Sequence, residues 1–245
     1  MKTIMISLFF LAGLVTGCNN RGYDSLSTKE FAAVIAEDSI FRIVGRNEGA
    51  CNTGKWFDWD RKLTVAGEFA GYGDVVVTNA VAGNSMEITI TSGLNTCEGK
   101  ISCSGENRCS LLFADGANWA GTVVAGNIGL TNLVAGGASS VSFGKLDLQE
   151  SFPIRVWRGE DGELTSDRIN VGEYLGTADV LPVLVNGEDD KFRGGDTITL
   201  GTIDAGAELP SVKGAWSVKA QDVASDPSLK MLTLDYVCGT LLLIR

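Results

Sequence analysis

Three cysteines of this chain are spaced so that their thiols could react with one another. Cys97, Cys103 and Cys109 follow one another with five residues in each gap. In an exported protein, thiols at this spacing favour a local disulfide bond. Zinc is the competing interpretation, but tight thiolate sites usually place neighbouring ligands about two to four residues apart. The sequence therefore predicts a disulfide bond within this trio and leaves the choice of its two partners open.

Acidic residues are the second group that could do chemistry. Paired carboxylates can act as acid and base in glycoside hydrolysis, and clustered loop carboxylates suit calcium. The acidic candidates are Asp58, Asp60, Glu160, Asp161, Asp189, Asp190 and Asp196. Of these, Asp189, Asp190 and Asp196 are the candidates for a metal site, although no calcium motif surrounds them. Solvated carboxylates in glycine-bounded turns need no functional explanation. We therefore predict no enzyme and no cofactor, with a carboxylate-based carbohydrate-active enzyme as the alternative.

Two tryptophans could bind a sugar. Trp56 and Trp59 lie close together in the segment Lys-Trp-Phe-Asp-Trp-Asp. An exposed pair of indole rings can stack on the apolar faces of a glycan. The alternative, which we favour, is that these rings fill the end of a repeat domain.

The composition excludes several classes of site. The chain has no histidine, so it lacks the commonest general base and the commonest zinc ligand. Ser-His-Asp triads and Cys-His pairs are therefore excluded. The formal net charge is −10, and no stripe of Lys and Arg is present to displace counterions from phosphates. We expect no nucleic-acid partner.

The first eighteen residues predict an export signal. Lys2 precedes the apolar run 4–14, which is too short to span a bilayer stably. The run is followed by Val-Thr-Gly-Cys18, which resembles the bacterial lipobox. That resemblance implies acylation of Cys18 and a lipid anchor in the cell envelope, at the outer membrane or cell surface. An ordinary signal peptide with a chance cysteine is the alternative.

Residues 19–50 are predicted to form a tether, a short helix and a strand that together could cap the following domain. Ser27 and Glu30 form a capping box. The apolar residues that follow repeat at helical spacing, which predicts a helix running to about Asp38. The run Ile40–Val44 is typical of a strand.

This opening segment is similar to the leader of lipid-anchored rhodanese-like proteins. The rhodanese active loop places Cys and Arg at the spacing of Cys103 and Arg108. The resemblance implies a third function, sulfur transfer, with Cys103 carrying the persulfide. However, no helical pattern follows Arg108 to supply an N-terminal dipole to such a loop.

From Lys55 onward the chain alternates short apolar runs with Gly, Asn and Asp turns, which predicts an all-β fold. The predicted strand runs are Leu63–Val65, Val75–Val77, Met86–Ile90, Leu111–Phe113, Thr122–Val124, Val141–Phe143, Leu146–Leu148, Ile154–Val156, Ile169–Val171, Val180–Val185, Ile198–Leu200, Trp216–Val218 and Leu232–Leu234.

Within the all-β class, we predict a parallel β-solenoid, or β-helix, over residues 51–245 rather than a β-sandwich. The chain has 31 glycines and only 4 prolines, and its apolar runs are nearly continuous, as expected where strands stack on equivalent strands. The segments Val76–Asn79, Leu130–Leu133 and Ile169–Gly172 look like copies of one coil. Terminal coils would need covers.

The segment Leu111–Gly126 joins two apolar strands through a Gly-x-Asn-Trp-x-Gly-Thr turn. It resembles the autotransporter-associated β-strand repeat of bacterial surface proteins, and the resemblance extends less tightly over residues 56–234. The matching residues are Gly116, Asn118, Trp119, Gly121 and Thr122. The resemblance implies a passenger-like surface protein with a structural or adhesive role. Its expected partners are a membrane through the lipid anchor, and a glycan, host protein or envelope protein through the solenoid. Parallel β-helices that resemble this fold also include polysaccharide lyases and hydrolases, which is the basis of the enzyme alternative.

Overall fold

The structure is a computed structural model that describes residues 27–29, 32–45, 61–65, 68–79, 86–104, 109–132, 137–185 and 191–237. Regular structure in these residues is entirely β, which confirms the predicted class. The strands are β1 (Ser27–Lys29), β2 (Ala32–Ile35), β3 (Ile40–Gly45), β4 (Arg61–Val65), β5 (Glu68–Gly71), β6 (Asp74–Asn79), β7 (Met86–Ile90), β8 (Thr96–Cys97), β9 (Lys100–Cys103), β10 (Cys109–Ala114), β11 (Asn118–Val124), β12 (Ile128–Thr131), β13 (Ser140–Leu148), β14 (Phe152–Arg158), β15 (Leu164–Ser166), β16 (Arg168–Gly176), β17 (Val180–Leu184), β18 (Thr197–Asp204), β19 (Trp216–Val223) and β20 (Asp226–Tyr236).

The strands form four sheets, and most neighbouring strands are parallel. A five-stranded sheet has the order β1-β4-β7-β10-β12, and a nine-stranded sheet has the order β19-β20-β18-β16-β13-β11-β9-β6-β3. Two three-stranded sheets have the orders β2-β5-β8 and β15-β14-β17. Among the described strands, antiparallel pairing occurs only between β14 and β15 and among β18, β20 and β19 at one end of the nine-stranded sheet.

The chain visits the sheets in a repeating order. It passes from the five-stranded sheet through the β2-β5-β8 sheet to the nine-stranded sheet three times, as β1-β2-β3, β4-β5-β6 and β7-β8-β9. It then passes from the five-stranded to the nine-stranded sheet twice more, as β10-β11 and β12-β13. Within these rounds, each strand of the five- and nine-stranded sheets therefore pairs in parallel with its equivalent in the round before.

Alternating burial explains why these short segments form strands. In β6 the side chains alternate between half-buried and buried, so Val75 and Val77 point into the core. The parallel register stacks Val75 on Ile101, Ile101 on Val123 and Val123 on Leu146, all fully buried. Burying each such side chain contributes about 1.5–3 kcal/mol. The stacked column forms a core that one round of the chain could not build alone.

The predicted helix from Ser27 to about Asp38 is wrong. Described residues of that segment form β1 and β2, and no helix occurs in any described part of the chain. Along β2 the exposed fraction is 82% at Val34 and 5% at Ile35, which is a strand period rather than a helical one. Pairing of β2 with β5 supplies backbone hydrogen bonds and tertiary packing. These outweigh a weak helix propensity, particularly where the residues are β-branched.

The predicted strand positions are confirmed. The predicted runs fall inside described strands, except that Val185 lies one residue beyond β17. The sequence did not predict the short strands β5, β8, β9, β12 and β15. The proposed equivalence of the segment starting at Leu130 is wrong, because Leu130 lies in the five-stranded sheet whereas Val76 and Ile169 lie in the nine-stranded sheet. Within the described residues we find no helix that could cross a membrane.

Candidate binding surface

A column of glycines runs across the nine-stranded sheet, with its first two members directly before β6 and β9 and the later ones within β11, β13 and β16. A Cβ atom added to Gly99 would overlap the carbonyl oxygen of Gly73, and one added to Gly121 would overlap that of Gly99. The same overlap with the preceding round occurs at the later positions. The members of this glycine column are Gly73, Gly99, Gly121, Gly144 and Gly172. Only glycine allows the backbones to approach this closely, so the column fixes the spacing of successive rounds.

The residue after each column glycine begins a row of polar side chains on the outside of the sheet. We call this set the outer row: Asp74, Lys100, Thr122, Lys145 and Glu173. Parallel pairing places Thr122 between Lys100 and Lys145, and Lys145 beside Glu173. The Lys145 Nζ lies 2.8 Å from Glu173 Oε2, with both side chains about half exposed. Along the stacking direction the outer row therefore runs negative, positive, neutral, positive and negative.

An open groove of about 340 Å³ adjoins the outer row. It is lined by Glu98, Ala120, Gly121, Thr122, Gly144 and Lys145. Bare backbone forms part of its surface, because two of its lining residues, Gly121 and Gly144, belong to the glycine column. It combines a carboxylate, an ammonium group and a hydroxyl with bare backbone, which is a polar surface suited to hydrogen-bonded ligands.

The repeat-like motif is used for packing rather than for contact with solvent. Trp119 is fully buried, donates from Nε1 to the Gly99 carbonyl oxygen at 2.9 Å and packs against Phe69 with ring centroids 5.5 Å apart. Gly116 has φ of 78°, which suits glycine in the turn before β11. Trp119 therefore belongs to the scaffold beneath the glycine column.

Asn118 of the same motif is bonded to a residue that sequence reasoning missed. Asn118 Nδ2 donates to the Asn95 carbonyl oxygen, and Asn118 Oδ1 accepts from the Asn95 backbone N–H, both at 2.8 Å. The fully buried Asn95 extends this hydrogen-bond network to the preceding round, because its Oδ1 accepts from the Phe69 N–H at 2.9 Å. The only sequence signal was an asparagine shortly before a glycine in two successive rounds.

The cysteine trio separates into a pair and a single thiol. The thiols of Cys103 and Cys109 contact each other, and this contact raises the pKa of Cys103 and lowers the pKa of Cys109. Cys97 is fully buried, and its Sγ donates to the Gly73 carbonyl oxygen at 3.3 Å. Burial raises the pKa of Cys97. In the rhodanese comparison, the segment after residues 105–108 is strand β10 rather than a helix, as its sequence indicated.

Asp196 lies in an ion pair. Its carboxylate accepts from Arg158 Nη2 at 2.7 Å and Nη1 at 3.2 Å, and from the Arg193 backbone N–H at 2.7 Å. The Arg158 hydrogen bond is the main reason that the pKa of Asp196 is lowered. Within the described ranges, no group of three or more Cys, Asp or Glu side chains is placed to hold a metal ion.

The other predicted site residues are placed as follows. Glu160 and Asp161 lie in the exposed turn after β14, where Asp161 Oδ1 accepts from the Glu163 N–H at 3.0 Å. This is a local turn contact. The remaining candidates lie outside the described residues, and they are Cys18, Trp56, Asp58, Trp59, Asp60, Arg108, Asp189 and Asp190.

An aromatic trio at the antiparallel end of the nine-stranded sheet was also missed. Trp216 contacts Phe192 and Tyr236 with ring centroids 4.8 Å and 5.1 Å apart, and Phe192 lies 5.7 Å from Tyr236. All three are half-buried. Phe192 and Trp216 pack against the main core, so the trio extends that core to the last strands. Its members are far apart in sequence, and no local pattern joins them.

A buried ion pair braces the β14 region. Asp167 is fully buried and accepts from Arg155 Nε at 2.8 Å and Nη2 at 3.0 Å, as well as from the Ser139 backbone N–H at 2.8 Å. The Arg155 guanidinium also lies 5.1 Å from the Trp157 ring centroid. Both carboxylate oxygens are thus occupied by donors of the same chain, which indicates a structural role.

No protein-family model matches the chain, and no curated protein matches it significantly.

Proposed function

We propose that this is an exported, lipid-anchored bacterial surface protein whose chain winds into a parallel β-solenoid with a structural and adhesive role. The observation that carries the proposal is the repeating order of sheets, in which successive rounds of the chain pair in parallel and in register. A chain that returns to the same sheets in the same order builds one core column after another. The glycine column supports the same interpretation, because it repeats one close contact from round to round.

The adhesive part of the proposal is supported by the outer row and its groove. A solenoid presents equivalent positions of each round as a straight row, so a long ligand can make the same kind of contact several times. The outer row offers both charges, with exposed ends at Lys100 and Lys145. We propose a glycan as the ligand class, with host and envelope proteins as the other partners to be screened.

The envelope location is supported by the sequence alone. The apolar run followed by Val-Thr-Gly-Cys18 would place a lipid on the new N-terminus, and two or three acyl chains hold a protein durably on a membrane. Replacing Cys18 with serine should move the full-length protein from the membrane fraction to the soluble fraction and abolish labelling by radioactive palmitate. Unchanged fractionation and labelling would contradict the anchor.

The adhesive role is tested on glycan and matrix-protein arrays with the full-length protein extracted in detergent, with mass spectrometry of the material on each positive spot. We expect retention on a glycan without cleavage products. Lys145→Ala should weaken retention at least severalfold, because it removes the ammonium group from the groove. Lys213→Ala is the matched control, since Lys213 is an exposed lysine outside the outer row.

The remaining outcomes of the array decide against the proposal. Cleavage products would replace it with a carboxylate-based carbohydrate enzyme. Retention that Lys145→Ala and Lys213→Ala change equally would move the binding site away from the outer row. No retention on any spot would leave only a scaffold role.

A further inference from the structure

Cys103 and Cys109 lie at the junction of two sheets. Cys103 is the last residue of β9 in the nine-stranded sheet, and Cys109 is the first residue of β10 in the five-stranded sheet. Cys109 is buried in the main core, and Cys103 is half-buried against it. Their thiols are already in contact. A covalent bond at this point would tie the end of one round directly to the start of the next.

Cys97 is not placed to compete for either partner. Its sulfur is fully buried beside the glycine column and donates to the Gly73 carbonyl oxygen at 3.3 Å. Bond formation by Cys97 would leave that buried carbonyl without this donor and would pull β8 away from β5, its partner in the β2-β5-β8 sheet.

We propose that Cys103 and Cys109 are a disulfide-forming pair that fastens the nine-stranded sheet to the five-stranded sheet, and that Cys97 stays a thiol. The reaction requires a two-electron oxidant, and a small-molecule disulfide suffices. One protein thiolate attacks this disulfide and expels one thiol, which gives a mixed disulfide. The second protein thiolate then attacks the protein sulfur of that mixed disulfide and expels the second thiol. Overall, two protein thiols become one disulfide, and one external disulfide becomes two thiols.

Zinc is the weaker interpretation of the pair, since a structural zinc site needs four ligands. The described residues supply no such group around these thiols. The proposal does not depend on the adhesive role or on the lipid anchor.

Peptide mapping tests the pairing directly, because trypsin places each cysteine in a different peptide. Cleavage after Lys and Arg puts Cys97 in residues 63–100, Cys103 in residues 101–108 and Cys109 in residues 109–145. The full-length protein is equilibrated with oxidised glutathione, alkylated in acidic denaturant, digested without reductant and analysed by mass spectrometry. We expect peptide 101–108 joined to peptide 109–145, and peptide 63–100 alkylated on Cys97.

Two results of the mapping would overturn the proposal. One is a bond that joins Cys97 or a cysteine outside the trio to Cys103 or Cys109. The other is alkylation of both Cys103 and Cys109 after treatment with the oxidant.

A thermal measurement compares the melting temperature of each protein with and without reductant. Differences in stability among the variants therefore do not affect the comparison. The oxidised wild type should lose several degrees of melting temperature on addition of a phosphine reductant. Cys103→Ser should show no shift with reductant, whatever its own melting temperature. Cys97→Ser should keep the shift. A reductant shift that survives in Cys103→Ser or disappears in Cys97→Ser would contradict the assigned pair.

Discussion

The parallel part of the nine-stranded sheet and its antiparallel end differ in how completely their inner side chains are buried. In the parallel part, Val75, Ile101, Val123 and Leu146 are fully buried and stack on one another. At the antiparallel end, Leu232 and Leu234 of β20 are fully buried as well, but no side chain of the edge strand β19 is. A strand between two parallel neighbours shares its inner residues with both of them, whereas an edge strand has a neighbour on one side only. The fully buried core therefore extends as far as β20 and stops before the last strand of the antiparallel end.

The antiparallel end also shows how the stack stops. The chain reverses direction after β18, and β20 and β19 complete the sheet as a hairpin. Lys219 projects from the edge strand and forms an ion pair with Asp235 on β20. Charged side chains, lysine above all, discourage an exposed edge from pairing with further strands. The hairpin thus serves as a cover that carries less core than the strands it protects.

The strongest test of this contrast uses one tryptophan from each region. Trp119→Ala should lower the free energy of unfolding by about 4 kcal/mol, because it empties a fully buried site. Trp216→Ala should cost about half as much, since Trp216 is half-buried within the aromatic trio. Urea denaturation measures both values. Equal losses would show that the hairpin carries as much core as the parallel region.

The glycine column gives the second test. Gly121→Val should lower the free energy of unfolding by about 3 kcal/mol, because the new side chain would overlap backbone of the preceding round. Gly126→Ala is the control in the same round, since a Cβ there would meet no atom within 4 Å. The control should change stability by less than about 1 kcal/mol. If both variants unfold at the same urea concentration, the close approach of the backbones is not limiting.

The Arg158–Asp196 ion pair gives a third test, through pH. Asp196→Asn should cost about 2 kcal/mol at pH 7, because it removes charge-assisted hydrogen bonds. The lowered pKa of Asp196 means that its carboxylate stabilises the fold fully above the ordinary aspartate pKa of 3.8. That contribution disappears as the pH falls through the folded-state pKa, below 3.8. The stability difference from wild type should therefore shrink in acid, as urea titrations at several pH values would show. A difference that stays constant from neutral pH to acid would contradict this assignment.

The smallest effect is expected on the exposed outer row. Lys145→Ala removes an ion pair with Glu173 whose two partners are about half exposed, so the free energy of unfolding should fall by only about 0.5 kcal/mol. Together with the array experiment, this separates binding from folding. A loss of stability of several kcal/mol would mean that Lys145 is part of the scaffold.

Strand positions could be predicted from the sequence because the predicted runs are short apolar stretches between turn residues. Val75–Val77 and Ile154–Val156 are examples, and both lie within observed strands. The capping pattern at Ser27 predicts a helix because it is strong locally, whereas the pairing of β2 with β5 is not visible in the local sequence. Short strands such as β8 have too few residues to show a period.

Sites that bring distant residues together could not be predicted from the sequence. The bond network of Asn95 and Asn118 needs the register between two rounds of the chain, and the aromatic trio needs the final hairpin. The cysteine spacing predicted a disulfide in the trio but could not choose the pair, because that choice depends on which thiol points into the glycine column.

The glycine column also has a consequence for engineering. The glycines make equivalent contacts although the stretches of chain between them differ in length. The spacing of successive rounds therefore depends on a few backbone contacts. The stretches of chain between the column glycines are free to vary in length. Foreign peptides grafted into the turn at Gly126 and Asn127, where Asn127 is exposed, should be displayed at a fixed height along the stack, with the stacking left intact.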